Sequence, residues 1–226
     1  MRRRLFNIYR RLYVELGPQG WWPGRTRFEV IVGAILTQNT SWQNVEKAMR
    51  RLRRERRLSP SAMAALPRRH LAELIRPAGT FLVKARRLHN FLAMLGTRHG
   101  GSLRRMLGGE PAGVREALLQ VSGIGPETAD SILLYAAKMP VFVVDAYTRR
   151  IFTRHRLIAR DTSYHEVQAL FMKHLPRDAQ LFNEYHALLV AVGKAYCRTI
   201  PRCDNCPLRW DLERHRIRLP KRGVHS

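Results

Sequence analysis

Four short stretches of the sequence carry residue types whose spacing suits chemistry. In Leu118-Leu119-Gln120-Val121-Ser122-Gly123-Ile124-Gly125-Pro126-Glu127-Thr128-Ala129-Asp130, a helix is expected to end near Val121 and another to begin at Pro126, where a missing N–H is no loss. Gly123 and Gly125 permit unusual backbone angles and a close approach, so the free N–H groups at the second helix's start can point at one phosphate oxygen. Taken alone, Gly-x-Gly also fits an ordinary tight turn. All three cysteines lie between Cys197 and Cys206, too close for a disulfide framework and suggestive of metal. Trp21-Trp22-Pro23 precedes an amphipathic helix and Trp42 follows Leu36-Thr37-Gln38-Asn39-Thr40. Such aromatics read as core as readily as stacking faces. Finally, Asp145 ends the apolar run Val141-Phe142-Val143-Val144 and, by itself, suits a helix N-cap.

The elements that must position these residues are nearly all helices, because apolar residues recur at intervals of three and four between Gly, Pro and Ser breaks. Helices are expected over 3–16, 26–37, 42–55, 60–66, 68–76, 80–98, 111–121, 126–138, 146–156, 163–174 and 178–195. Ser59-Pro60 and Asp161 to Ser163 supply starts, and Leu5, Ile8, Leu12 and Leu16 mark the buried stripe of the first helix. The basic tail after Arg214 lacks periodicity and is expected to be loosely ordered. A chain of 226 residues can bury a sizeable core without disulfides.

Charge narrows the partner. Lysine and arginine number 41 against 17 acids, a formal net charge of +24, which implies a polyanion such as nucleic acid. No apolar run approaches a membrane span, and the first residues lack the apolar block of a signal peptide. A cytoplasmic protein is expected, nucleoid-associated if bacterial, with no membrane partner.

The full glycine turn, followed by the apolar run and Asp145 in Val143-Val144-Asp145-Ala146-Tyr147-Thr148-Arg149-Arg150, resembles the helix-hairpin-helix of the endonuclease III superfamily of DNA glycosylases. That resemblance implies an all-α, two-lobed fold with its active site in the interlobe cleft. One lobe would be a helical barrel over 23–135, its hairpin at about 111–138. The other would join 1–22 to 136–226. The resemblance also implies that Asp145 is the catalytic carboxylate, stabilising positive charge on the sugar and orienting water. In superfamily members that also cut the backbone, a lysine stands two places after the hairpin's second glycine. Here that place is Glu127, which cannot form a Schiff base. Glu127 suits the helix dipole and is a secondary candidate for the base pocket.

Trp21-Trp22-Pro23, Phe28-Glu29, Val32-Gly33-Ala34-Ile35-Leu36-Thr37-Gln38-Asn39-Thr40, Arg76-Pro77-Ala78-Gly79-Thr80-Phe81 and Lys84-Ala85-Arg86-Arg87-Leu88 look like the 3-methyladenine DNA glycosylase III branch. By that resemblance Trp21, Trp22 and Trp42 sandwich an extruded base, and Gln38 and Asn39 resemble the wedge that fills the vacated duplex. Otherwise the two amides cap a helix end. A cationic alkylated purine would gain from aromatic faces and leave easily.

Cys197-Arg-Thr-Ile-Pro-Arg-Cys203-Asp-Asn-Cys206-Pro-Leu resembles the superfamily's iron–sulfur loop, which implies a [4Fe–4S] cluster. Two features depart from it: the first spacing is one residue short, and the fourth ligand's place holds Leu212. Asp211 or His215 could serve instead, a zinc site with Cys197, Cys203, Cys206 and His215 is equally acceptable, and a metal-free loop is the remaining option. Arg198, Arg202 and Arg209 make DNA contact plausible in every case.

The sequence therefore points to a monomeric, monofunctional glycosylase acting on double-stranded DNA that carries a damaged base, an alkylated purine being favoured. The alternatives are a glycosylase for oxidised, deaminated or mispaired bases and a non-catalytic helix-hairpin-helix binding module. From the charge alone, affinity for undamaged duplex is expected to drop by at least ~100-fold between about 50 and 200 mM salt. Filter binding across that range checks this, and salt-independent binding would contradict it.

Overall fold

The computed structural model describes residues 1–218, and every regular element among them is helical. The chain divides into two compact units, one spanning Trp22–Val141 and the other joining Met1–Trp21 to the chain from Phe142 onward. We call them the hairpin unit and the terminal unit.

In the hairpin unit, α2 (Arg27–Leu36) is buried at every position from Phe28 to Leu36, as an apolar segment with no polar stripe must be. Its start is set by Thr26, whose hydroxyl accepts from Glu29 N, while the Glu29 carboxylate accepts from Arg25 N. Helices α3 (Trp42–Arg54), α4 (Pro60–Ala64), α5 (Arg68–Leu74) and α6 (Phe81–His99) follow. The end of α2 is held by Lys84 of α6, a buried ammonium that donates to the carbonyls of Leu36 (2.9 Å) and Ala78 (2.6 Å). Burial, with the nearby Arg87, pulls Lys84 down to about 8. The loop after α2, which carries Gln38 and Asn39, is thereby anchored.

Helices α8 (Pro111–Leu119) and α9 (Pro126–Ser131) form the hairpin. The single helix expected over 126–138 is α-helical only to Ser131, then widens into a π-turn over Ile132–Ala136 closed by Ala137 N to Ile132 O. Lys138 sits at φ 59°, and Pro140 stops the chain from continuing as helix. A short helix, α7 (Leu103–Leu107), was not expected. Ser102 caps it, and Met106 and Leu107 are buried.

The terminal unit packs α1 (Arg2–Leu16), α10 (Ala146–Arg154), α11 (Tyr164–His174), α12 (Ala179–Ala195) and α13 (Arg209–Arg214). Leu5, Ile8 and Leu12 of α1 are fully buried, and Leu16 is half-buried. Phe142, Phe171, Phe182 and Tyr185 stack edge and face within the core, and Tyr185 donates to Leu5 O. Where α10 crosses α12, Gly193 leaves room for Tyr147, because a Cβ there would lie 2.3 Å from the ring. Helix α13 was also unexpected. The tail begins in order rather than loosely, since Ile217 is buried and donates to Leu212 O. The rest of the expected loose tail, from 219, lies outside the described residues. No described helix is long and apolar enough to cross a membrane.

The unit is tied at one end by Asp211, which is completely buried and accepts from Arg4 (2.9 and 2.8 Å) and meets His155 Nδ1 at 2.7 Å. Burial would raise this carboxyl, but His155 and Arg4 outweigh it and bring it down to about 2 from 3.8. A carboxyl lowered by folding contributes stability that is complete above its unfolded value and lost as the pH falls through its folded value. Asp211→Asn should therefore cost about 2 kcal/mol near neutral pH, with the difference from the parent shrinking from about pH 4 towards pH 2. Denaturant unfolding at both pH values measures it, and a pH-independent difference would contradict the pairing.

Candidate active site

Asp145 stands where the buried segment Phe142–Val144 meets α10. The segment is pinned by Gln168, which donates to Phe142 O (2.7 Å), and by the Tyr164 hydroxyl, which accepts from Val144 N (3.4 Å). Asp145 itself is extended, and its Oδ1 accepts from Thr148 N at 2.7 Å, which starts the helix. Its Oδ2 lies 3.6 Å from His186 Nε2 on α12, both side chains being buried. Burial pushes the Asp145 carboxyl up, but the His186 ring and the Thr148 amide more than offset this, so it is held below its ordinary value. The N-cap and a chemical role thus do not compete, because they use different oxygens.

His186 was missed from the sequence. It lies among Phe182, Tyr185 and Leu189 on the buried face of α12, and a histidine on an apolar face was the available signal. Its ring stacks on Trp21, with centroids 5.8 Å apart and planes within 8°, and stands edge-on to Phe142. Lys194 Nζ lies 5.8 Å from the Trp21 ring centre.

The other two tryptophans belong to the hairpin unit. Trp22 and Trp42 meet edge to face at 5.2 Å, and Tyr135 of the π-turn lies 5.0 Å from Trp22. All three tryptophans are half-buried. Trp22 lies against Gly33 of α2, where an added Cβ would come within 3.1 Å of its Nε1. The perpendicular Trp22–Trp42 pair leaves no parallel slot between its own two rings, and Trp21 is grouped with His186.

At the hairpin, the two glycines stand in different surroundings. Gly123 has φ 96°, and a Cβ would lie 2.3 Å from the Arg87 side chain, so both its backbone and its surroundings exclude a larger residue. Gly125 caps α9 with ordinary extended angles and faces open space. Among the described residues nothing demands its lack of a side chain. Gln38 is tied to the turn, donating to Gly123 O (3.0 Å) and Thr128 Oγ1 (2.9 Å) and accepting from Arg87. Asn90 donates to Ser122 O. Asn39 is exposed in the left-handed region at φ 53°, a conformation asparagine tolerates. Glu127 is exposed in the first turn of α9.

The three thiols line one small pocket with Arg154, Leu208 and Leu212. Cys197 is buried and accepts from Arg154 (3.2 Å). Burial raises Cys206 to about 11, with Cys203 and Cys197 adding to the rise. Neither expected fourth ligand is available. Asp211 is committed to Arg4 and His155, and His215 Nε2 lies 3.5 Å from the same carboxylate. Among the described residues no three His, Cys, Asp or Glu side chains gather as a metal group, and apolar Leu212 lines the pocket instead. The donor set fits neither a four-cysteine [4Fe–4S] cluster nor a three-cysteine, one-histidine zinc site. Arg198 and Arg202 of this loop and Arg209 at the start of α13 are exposed.

Asp145 is thus a buried carboxylate at a helix start, and the glycine turn leaves Gly125 facing open space. The sequence model described as "HhH-GPD superfamily base excision DNA repair protein" matches residues 32–177, and the chain belongs to that superfamily. It is a DNA glycosylase of base excision repair. It is 44% identical over 206 residues to the candidate DNA repair glycosylase MJ1434 of Methanocaldococcus jannaschii, covering 91% of this chain and 94% of that one. It is 30% identical over 192 residues to endonuclease III of Thermotoga maritima, 84% of each. Among solved structures it is similar to the H. pylori 3-methyladenine DNA glycosylase bound to 1,N6-ethenoadenine, with TM-score 0.72 and 30% identity over 84% of this chain and 97% of that one.

The unequal glycines generate a test. Gly125→Val should weaken binding to undamaged and damaged duplex alike, by ~10-fold or more, with little change in thermal unfolding. Gly123→Val should lower the unfolding temperature markedly. Equal effects on folding at both positions would contradict this division.

Proposed function

We propose that the chain is a monofunctional glycosylase that hydrolyses the N-glycosidic bond of damaged bases in double-stranded DNA, with alkylated purines such as 3-methyladenine as its substrates. The carrying observation is Asp145, a buried carboxylate kept ionised with one oxygen fixed by Thr148 N and the other towards His186. As the bond from C1′ to the base breaks, its electron pair leaves with the base and positive charge grows on the sugar. The fixed carboxylate stabilises that charge and orients water, whose oxygen bonds to C1′ while its proton is released. A cationic N-alkylated adenine leaves as a neutral base, so no general acid is required. Glu127 stands where an amine nucleophile would be needed for strand cleavage, which supports an intact abasic product.

The hairpin around Gly125 and the exposed Asn39, Arg198 and Arg202 would meet the DNA, with Gln38 bracing the turn. Trp21, Trp22 and Trp42 remain the aromatic candidates for the base, in a monomeric, cytoplasmic enzyme. The likeness to the H. pylori enzyme supports the substrate class. One observation favours a second reading, a neutral deaminated or oxidised base: Lys194 already places a cation near Trp21, where a cationic lesion would meet like charge.

Asp145→Asn is the sharpest variant, because asparagine caps helices as well as aspartate but carries no charge. It should slow single-turnover base release by ~100-fold or more while duplex affinity changes little. On duplexes carrying 3-methyladenine, ethenoadenine, uracil or an oxidised pyrimidine, the product should be an abasic strand that breaks only after alkali. Borohydride trapping of a covalent adduct would overturn the hydrolytic reading. Release confined to uracil or oxidised pyrimidines would move the substrate to the second reading.

A further inference from the structure

The Asp145 carboxylate cannot be understood apart from the ring it faces. A carboxylate in apolar surroundings tends to take up a proton, and Phe142, Val143 and Val144 are all buried just before it. The Thr148 amide occupies Oδ1 only. What faces Oδ2 is His186 Nε2 at 3.6 Å, just beyond hydrogen-bond length and close enough for a protonated ring to attract the carboxylate. His186 is itself held on two sides, flat against Trp21 and edge-on to Phe142. Such packing fixes the ring plane and so the direction of its nitrogen.

We propose that His186 is the positioning residue for Asp145, a buried imidazole clamped by Trp21 that keeps the carboxylate ionised and aimed while DNA is engaged. The proposal rests on the reading of Asp145 as the catalytic carboxylate. It also gives Trp21 a task besides base stacking, since the ring that would meet a base backs the imidazole. Other titratable groups do not replace His186. From α12, Lys194 lies near Trp21, and Glu184 accepts from Gln19 N. From α10, Arg150 donates to the carbonyls of Cys197 and Gly193. From α11 the Tyr164 hydroxyl meets Val144 N, and from α1 Tyr9 packs on Tyr185.

The test joins kinetics to spectroscopy. In His186→Asn, the acid limb of the single-turnover pH–rate profile should move up by ~1 pH unit, because the opposite charge that lowered Asp145 is gone. The rate near neutral pH should fall by ~10-fold with duplex affinity unchanged. A residue that merely fills space would lower the rate without moving the limb. Should His186→Asn fail to fold, His186→Gln provides the second reading: 13C NMR of the Asp145 carboxyl should show its midpoint rise relative to the parent, since the ring that lowers it is gone. An unmoved acid limb in a folded His186→Asn, or an unmoved Asp145 midpoint in His186→Gln, overturns the proposal. If Asp145→Asn keeps full base release while the Asp145 midpoint still rises in His186→Gln, the pairing stands and the catalytic reading of Asp145 fails.

Discussion

The hydrogen bond from Thr148 N to Asp145 Oδ1 is the constraint on which the rest of the terminal unit's site depends. It starts α10 at a fixed residue, fixes one oxygen of the carboxylate and so decides where the other points. It shares with His186, the larger of the two influences, the work of offsetting the cost of burying the charge. The core serves this one geometry: Gln168 and Tyr164 hold the segment ahead of Asp145, Gly193 lets α10 lie close on α12, and Arg150 ties the C-terminal end of α12 back to α10.

The hairpin unit meets a different demand, that of holding a backbone turn in one geometry. Its rigidity comes from side chains far away in sequence. Gln38 and Arg87 bracket Gly123, Asn90 holds Ser122 O, and buried Val121 and Ile124 anchor the turn from beneath. Lys84 secures the loop from which Gln38 reaches over. The π-turn over Ile132–Ala136 places Tyr135 against Trp22, a widened helix of the kind found where a side chain must be re-aimed.

Local patterns in the sequence carried the helices with long apolar stripes, the proline starts and the hairpin, because each rests on neighbours within a few residues. The family membership and helical class read from the glycine turn and Asp145 motif agree with the comparisons. What stayed hidden depends on partners distant in the chain. His186 carries no local mark beyond being a histidine on an apolar face, and its partner is Trp21. Asp211 and His215 read as possible ligands from spacing, yet Arg4 and His155 claim the carboxylate. Helices α7 and α13 are too short for periodicity to declare them, and the π-turn has the same apolar composition as the α-helix expected in its place. Gly123 and Gly125 look equivalent in sequence and differ because Gly123 alone takes a positive φ and has Arg87 lying across it.

The chemistry proposed for Asp145 requires it to be an anion before DNA arrives, prepared by the fold rather than by substrate. Direct titration of its side-chain carboxyl by 13C NMR in the free protein is the measurement that reaches this claim without relying on a lesion or a rate. The expected result is a midpoint below the ordinary aspartate value of 3.8. A midpoint above that value would contradict it, since burial would then have won over His186 and the Thr148 amide and the carboxyl would not be held as an anion by its surroundings.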